Sequence, residues 1–209
     1  MIKVALTAIN TTPKLLEATN ASLMSCLIQS AQLGLTPDGI LGQAYLLPFE
    51  NNRRGIVECQ FIIGYKGYIQ LAYRSGQVKS FQPRAVYEED DFEFEFGLNE
   101  KLRHIPTTKK ERGELTHVYA VVQMKDGGFM FDVMTKAEVE EIRAMSKAPN
   151  SPAWKSHYAS MAMKSVIRRL AKIAPLSAEF QTAAVLDERA ELKGMSQNLT
   201  ASLDDGIVG

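Results

Sequence analysis

The spacing of apolar residues changes period along this chain, and that change limits the fold more than any other feature. After Thr11-Thr12-Pro13, an N-cap followed by proline in a first helical turn, Leu16, Leu23, Leu27 and Ala31 recur at helical spacing. Met24 and Ile28 lie beside them, and Gly34 stops the run. Thr36-Pro37-Asp38-Gly39 is a turn, and two strand-like runs follow, Gln43 to Phe49 and Ile56 to Ile62, joined by the polar loop Glu50 to Gly55. Tyr65 to Ser75 reads as a short helix closed by Gly76.

The middle of the chain keeps a period of two. Val78 to Tyr87 is one strand, Phe92-Glu93-Phe94-Glu95-Phe96 alternates as a half-buried strand does, and Thr116 to Met124 and Phe129 to Met134 flank the hairpin signal Lys125-Asp126-Gly127-Gly128. Asn99 to Leu115, charged and holding Pro106 and Gly113, reads as a mobile loop. Thr135 and Glu138 form a capping box that starts a helix near Lys136; Ser151-Pro152 starts another that Pro175 ends, and a third covers Ser177 to about Leu192. The class expected is α+β: antiparallel β-hairpins and a small curved sheet packed with helices, N- and C-terminal helices flanking the strand-rich middle. Residues 1–10 are expected to be a flexible N-terminus, 11–192 a single domain, and 193–209 a disordered tail.

A chain of 209 residues favours one domain with appendages. Its 24 Lys+Arg balance 24 Asp+Glu, which excludes a uniformly basic coat. The balance hides segregation. Ile142 to Ala178 holds no acidic residue but seven basic ones, Arg143, Lys147, Lys155, Lys164, Arg168, Arg169 and Lys172. Asn51 to Arg84 sets six basic residues against Glu58 alone, whereas Glu88 to Glu100 has seven acidic residues and no basic one. Such blocks build a directional field at zero net charge. Two cysteines, Cys26 and Cys59, suit a reducing compartment. No apolar run approaches the roughly 20 residues of a membrane span, and the start, MIKVALTAIN, is too short an apolar stretch for a secretory signal. A cytoplasmic location without membrane contact is expected.

The 151–174 helix carries the sharpest signal. At 100° per residue Lys164, Arg168 and Lys172 fall within about 80° of one another, Tyr158 and Arg169 beside them, and Met163, Val166, Ile167, Leu170 and Ile173 opposite. One face is expected to be core and the other a basic ladder whose rungs, about 6 Å apart, match neighbouring phosphates of an extended strand. The plain alternative is a solvated face, but no acid stands at i±4 to pair with it. Arg169 borders the apolar side and is open to pairing with a carboxylate.

At these positions the residues resemble the RecT-type phage recombinases, the single-strand annealing proteins. Leu33-Gly34-Leu35 through Gly42-Gln43-Ala44-Tyr45-Leu46-Leu47-Pro48-Phe49 fits that pattern, as does Ile62-Ile63-Gly64-Tyr65-Lys66-Gly67 with Arg74-Ser75-Gly76. Phe94 to Leu98 and Thr116 to Ala120 also fit, followed by Trp154, His157, Met161, Lys164, Ile167-Arg168-Arg169-Leu170, Lys172 and Pro175. The resemblance runs from about residue 20 to about 190. It implies ATP-independent binding of single-stranded DNA and annealing of complementary strands, with no covalent catalytic step, by a homo-oligomeric ring or helical filament. A partner exonuclease would supply the single strand, and host single-strand-binding protein is a further expected partner. The DNA-binding residues it implies are Lys164, Arg168, Arg169 and Lys172, with Lys66 and Arg74.

An annealing protein must grip phosphates and leave base edges open, so Lys and Arg suit it better than stacking aromatics. Trp154 is therefore read first as a packing anchor. Tyr158 and His157 are candidate contacts by their place near the basic face, and Lys147 by its place in the acid-free run. Lys66 lies between Gly64 and Gly67, whose missing side chains would let a phosphate backbone approach. No GxxxxGK[ST] loop is present, and no cofactor is expected to be required, Mg²⁺ serving at most to assist DNA binding or annealing. The acidic 88–100 block either meets a neighbouring copy's basic 101–112 loop or simply protects an edge strand. A rival reading makes Glu88, Glu89, Asp90 and Asp91 the metal ligands of a phage DNA nuclease, although side chains on successive strand residues alternate sides and cannot all converge.

Overall fold

A computed structural model of the chain describes residues 2–191, apart from 53 and 175; of residues 2–4 the backbone alone is described. The tail expected over 193–209 lies outside the described residues, as does Pro175 itself. Helices and antiparallel strands alternate as an α+β chain. The described residues divide into two compact units, each assembled from separate stretches of chain, a finer organisation than the single 11–192 domain expected.

Among the described residues, the first unit comprises those within 2–77, 145–148 and 176–191. Its N-terminal residues, expected to be flexible, form helix α1 (Ile2–Thr11), because the apolar run meets no glycine or proline before Pro13. Pro13–Glu17 is a 3-10 turn that buries Leu15 and leaves Leu16 exposed. The chain is extended at Ala18, so helix α2 (Asn20–Leu33) starts afresh, with the Thr19 hydroxyl accepting from Ser22 N–H and Gly34 closing it at φ +57°. The interruption rotates the helix, which buries Cys26, Leu27, Ser30 and Leu33 and leaves Met24 and Ile28 outside.

Strands β1 (Ala44–Asn51) and β2 (Ile56–Ile63) form a hairpin in which Pro48 stands opposite Cys59. Cys59, Phe61 and Ile63 alternate as the buried face of β2. Helices α2 and α7 (Ala178–Glu191) pack on β2 and satisfy its outer edge. Val57 O accepts from Thr19 N–H at 3.0 Å, Cys59 N–H donates to Ser22 Oγ at 2.9 Å, and Ile63 N–H donates to Asp187 Oδ1 at 2.9 Å. Asp187 is fully buried and also accepts from the Tyr68 hydroxyl of α3 (Tyr65–Arg74) at 3.0 Å. An edge covered in this way offers no ladder to a stray strand.

The second unit comprises residues 78–144 and 149–174. Strands β3 (Val78–Tyr87), β6 (Leu115–Met124) and β7 (Phe129–Thr135) make an antiparallel sheet with β6 in the centre, and Pro83 lies on the edge strand β3. Strands β4 (Asp91–Glu95) and β5 (Lys101–Ile105) form a hairpin of their own. The expected loop over Asn99 to Leu115 thus contains a strand, because cross-strand charge pairs hold β5 where apolar alternation is weak: Lys101 pairs with Glu95 and Arg103 with Asp91. Phe92 and Leu102 of this hairpin pack on Val86, Tyr119, Phe131 and Val133 on one face of the sheet. Val118, Ala120 and Val122 alternate onto the other face, where helix α6 (Tyr158–Ala171) lies, and none of the three is exposed. The Thr135/Glu138 capping box closes as expected at the start of α4 (Lys136–Met145): Glu138 N–H donates to Thr135 Oγ1 at 3.2 Å, and Thr135 N–H to Glu138 Oε2 at 2.8 Å.

Candidate nucleic-acid interface

The helix expected over Ser151 to Ala174 is two helices. The backbone turns out of helical geometry at His157 (φ −129°, ψ 38°), separating α5 (Pro152–Ser156) from α6. Val166, Ile167 and Leu170 are buried as the apolar stripe predicts, but Ile173 lies beyond the helix end and is exposed. The opposite face is the main correction. Lys164 is 3% exposed and Arg168 4%, so these two rungs do not face open solvent. Each interacts with other groups of the chain. Helical spacing shows which residues share a face; what covers that face is a tertiary matter. Lys172, the helix C-cap, is exposed.

Arg169 is committed within the unit. It pairs with Asp132 of β7 and Glu138 of α4 and donates to the Val133 carbonyl at 2.5 Å, which removes it from the phosphate contacts the ladder suggested. Its hydrogen bonds to Asp132, and after them those to Glu138, raise its already high pKa against the effect of burial. Burial works to raise the Glu138 carboxyl, but the Thr135 amide and hydroxyl and the Arg169 guanidinium hold it below the usual range.

Trp154 is buried at 3% exposure with the Tyr158 ring 5.9 Å away, the packing anchor expected. The Tyr158 hydroxyl is enclosed without a well-formed hydrogen bond. Burial, and after it the neighbouring Glu140, pushes its phenol up, and the enclosure keeps the hydroxyl away from any phosphate outside. His157 is exposed at the helix break, and Lys155, part of the basic run but not singled out from sequence, is exposed two residues before it.

In the first unit Lys66 is exposed on the first turn of α3. Its flanking glycines serve the fold instead of a phosphate. A Cβ on Gly64 would stand 2.2 Å from the Gly42 carbonyl oxygen, and one on Gly67 2.2 Å from that of Gln43, so the backbone pressed against this turn is the protein's own. Arg74 is likewise occupied: its guanidinium donates to the Leu33 carbonyl at 2.6 Å and to the Gly34 carbonyl, capping the C-terminal end of α2. Lys147 Nζ donates to the Arg189 carbonyl at 3.3 Å near the end of α7 and lies 5.8 Å from the Phe49 ring centre; burial holds its amine below the usual lysine range.

The acidic block is answered within its own unit. Asp90, its side chain closed to solvent, pairs with Arg112 and accepts from the amides of Tyr87 and Thr107 at 2.9 Å each. His104 lies 3.1 Å from Asp90 Oδ2 and 3.1 Å from the Tyr119 hydroxyl. Glu89 pairs with Lys109 and Asp91 with Arg103, while Glu88 accepts from the Glu114 amide at 3.0 Å. Of the two readings of the acidic block, the one that has the basic 101–112 segment meet a neighbouring copy gives way here: Arg103, Lys109 and Arg112 pair within their own chain. The four carboxylates engage separate partners and do not converge on a common point.

The fold and the separate engagements of these side chains leave the class of protein to comparison with known proteins. The chain belongs to the RecT family, whose model matches residues 1–200. It is similar to Protein RecT of Escherichia coli (strain K12), 48% identical over 194 residues that cover 92% of this chain and 72% of that protein. Uncharacterized protein YqaK of Bacillus subtilis (strain 168) is 31% identical over 168 residues, covering 80% of this chain and 56% of the relative. The resemblance read from sequence thus holds along nearly the whole chain, and membership gives it a role in DNA recombination and annealing. Among the described residues no helix is long and apolar enough to cross a membrane.

Proposed function

We propose that this protein binds single-stranded DNA through the sugar–phosphate backbone and anneals complementary strands without ATP, as an oligomer. The observation that carries the reading is the family match over residues 1–200. Annealing needs no fuel, since stacking releases roughly 1.4 kcal/mol per base-pair step. The protein's task is to hold a strand extended with its base edges accessible.

The exposed side chains Lys66, His157 and Lys172 are proposed as phosphate contacts, joined by Lys155. Lys164 and Arg168 act from within, adding to the positive field of the acid-free segment. Trp154 is buried and offers no stacking platform, which supports contacts without sequence preference. One protomer reaches few phosphates, so affinity depends on copies arrayed along a strand as a ring or filament. No cofactor enters the mechanism, Mg²⁺ serving only to screen phosphates. A partner exonuclease and host single-strand-binding protein complete the expected setting.

The test mixes two complementary fluorescently labelled oligonucleotides with the protein in the absence of ATP. Pairing accelerated many-fold over the protein-free rate, and unchanged by adding ATP, supports the reading; pairing at the protein-free rate overturns it.

A further inference from the structure

Cys26 and Cys59 are the protein's only cysteines, both are buried, and the fold brings them together across 33 residues of sequence. Cys59 stands in the middle of β2 and Cys26 one helical turn beyond Ser22 on α2. Ser22 Oγ accepts the Cys59 N–H at 2.9 Å, and Cys26 Sγ lies 3.2 Å from the Cys59 carbonyl oxygen. Helix and strand are thereby held in one register at the two cysteines. Both line a cavity of about 330 Å³ whose wall includes the polar side chains of Ser25, Gln29, Glu58 and Arg189.

We propose that Cys26 and Cys59 form an oxidisable dithiol site, in which a peroxide admitted to this cavity converts the pair to an intrachain disulfide joining α2 to β2. The Cys26 thiolate attacks one peroxide oxygen and the O–O bond breaks. The departing hydroxide takes up the thiol proton as water, leaving a sulfenic acid on Cys26. Cys59 Sγ then attacks the sulfenic sulfur, the S–O bond breaks, and the hydroxyl leaves with the Cys59 proton as a second water. One peroxide is reduced to two waters while two thiols are oxidised to one disulfide. The order of attack follows from the surroundings. The hydrogen bond from Cys59 lowers the Cys26 thiol against burial, with the Phe61 amide assisting. The same interaction, burial and the charge of Cys26 push the Cys59 thiol up.

The test treats the full-length protein with a small excess of hydrogen peroxide, blocks remaining thiols with iodoacetamide and analyses it by mass spectrometry without reductant. The expected result is a monomer lighter by two hydrogens, with the peptide containing Cys26 joined to that containing Cys59. Cys59→Ser is expected to stop at a sulfenic acid on Cys26 that dimedone traps. Recovery of both cysteines as alkylated thiols, while exposed Met24 or Met145 is oxidised, would overturn the proposal, as would disulfides found only between protomers.

Discussion

Arg169 holds Asp132 in a two-point grip, Nε to Oδ2 at 2.6 Å and Nη2 to Oδ1 at 2.8 Å. The planar guanidinium matches the carboxylate and keeps a further N–H for Glu138 Oε1 at 2.6 Å. Lysine cannot reproduce this fork. Arg169→Lys is expected to lower stability by about 1–2 kcal/mol in urea unfolding, a figure discounted for the partial exposure of the pair. A double-mutant cycle with Asp132→Asn is expected to show coupling of about 1 kcal/mol; coupling near zero would mean the pair contributes nothing to the fold.

Burial of Lys164 and Arg168 changes what their removal reports. Lys164→Ala or Arg168→Ala leaves the groups that it interacts with uncompensated and is expected to cost about 2–4 kcal/mol, a melting midpoint lower by roughly 5–10 °C. Loss of annealing in such a variant is then inseparable from loss of fold. A native melting curve with annealing abolished would show instead that both side chains reach the strand directly.

Lys66→Ala and Lys155→Ala remove exposed cations and are expected to leave melting within about 1–2 °C of the parent; Lys172→Ala also gives up an interaction within the chain and is expected to lower it somewhat more. Deleting a cation that neutralises one phosphate is expected to reduce the slope of log affinity for single-stranded DNA against log salt by about 0.7. Titrations of fluorescent oligonucleotide at several salt concentrations measure it, and an unchanged slope in all three variants would remove these residues from the interface.

Asp90 makes the β4–β5 hairpin sensitive to acid. Burial alone would raise its carboxyl, but Arg112, the Thr107 and Tyr87 amides and His104 together hold it far below the ordinary aspartate range. A carboxyl lowered in the folded state contributes stability that is present above its unfolded value and is lost as pH falls toward the folded one. Asp90→Asn is therefore expected to cost roughly 2–3 kcal/mol near neutrality, and the difference from the parent should shrink between about pH 5 and pH 2. Urea unfolding across that range checks the sign; a penalty that grows with acid contradicts the assignment.

Local chemistry was legible in the sequence wherever its signal was local. Val78–Tyr87 reads as a strand and is one over those same residues, and Thr135 with Glu138 announces a helix start that the structure closes with reciprocal hydrogen bonds. Long-range commitments were not. Asp187 meets the Ile63 amide across 124 residues of sequence, and nothing near Asp187 marks it as the group that finishes a strand edge. For the candidate site, the wheel placed Lys164 and Arg168 on one face correctly, but a wheel carries no information about neighbouring elements. Lys66 and His157 proved exposed; Arg74, Lys147 and Arg169 proved to be engaged by carbonyls or carboxylates that lie outside their own stretches of helix or loop.

Pro48 and Pro83 bear on how copies of this chain can join. Each sits on a strand with a neighbour on one side only, and each lacks the amide hydrogen that a newcomer would need there. A second molecule laid along either strand would find the seam broken at its middle. Along these two strands, contact between copies is then left to side chains, because the backbone ladder cannot be extended past the proline.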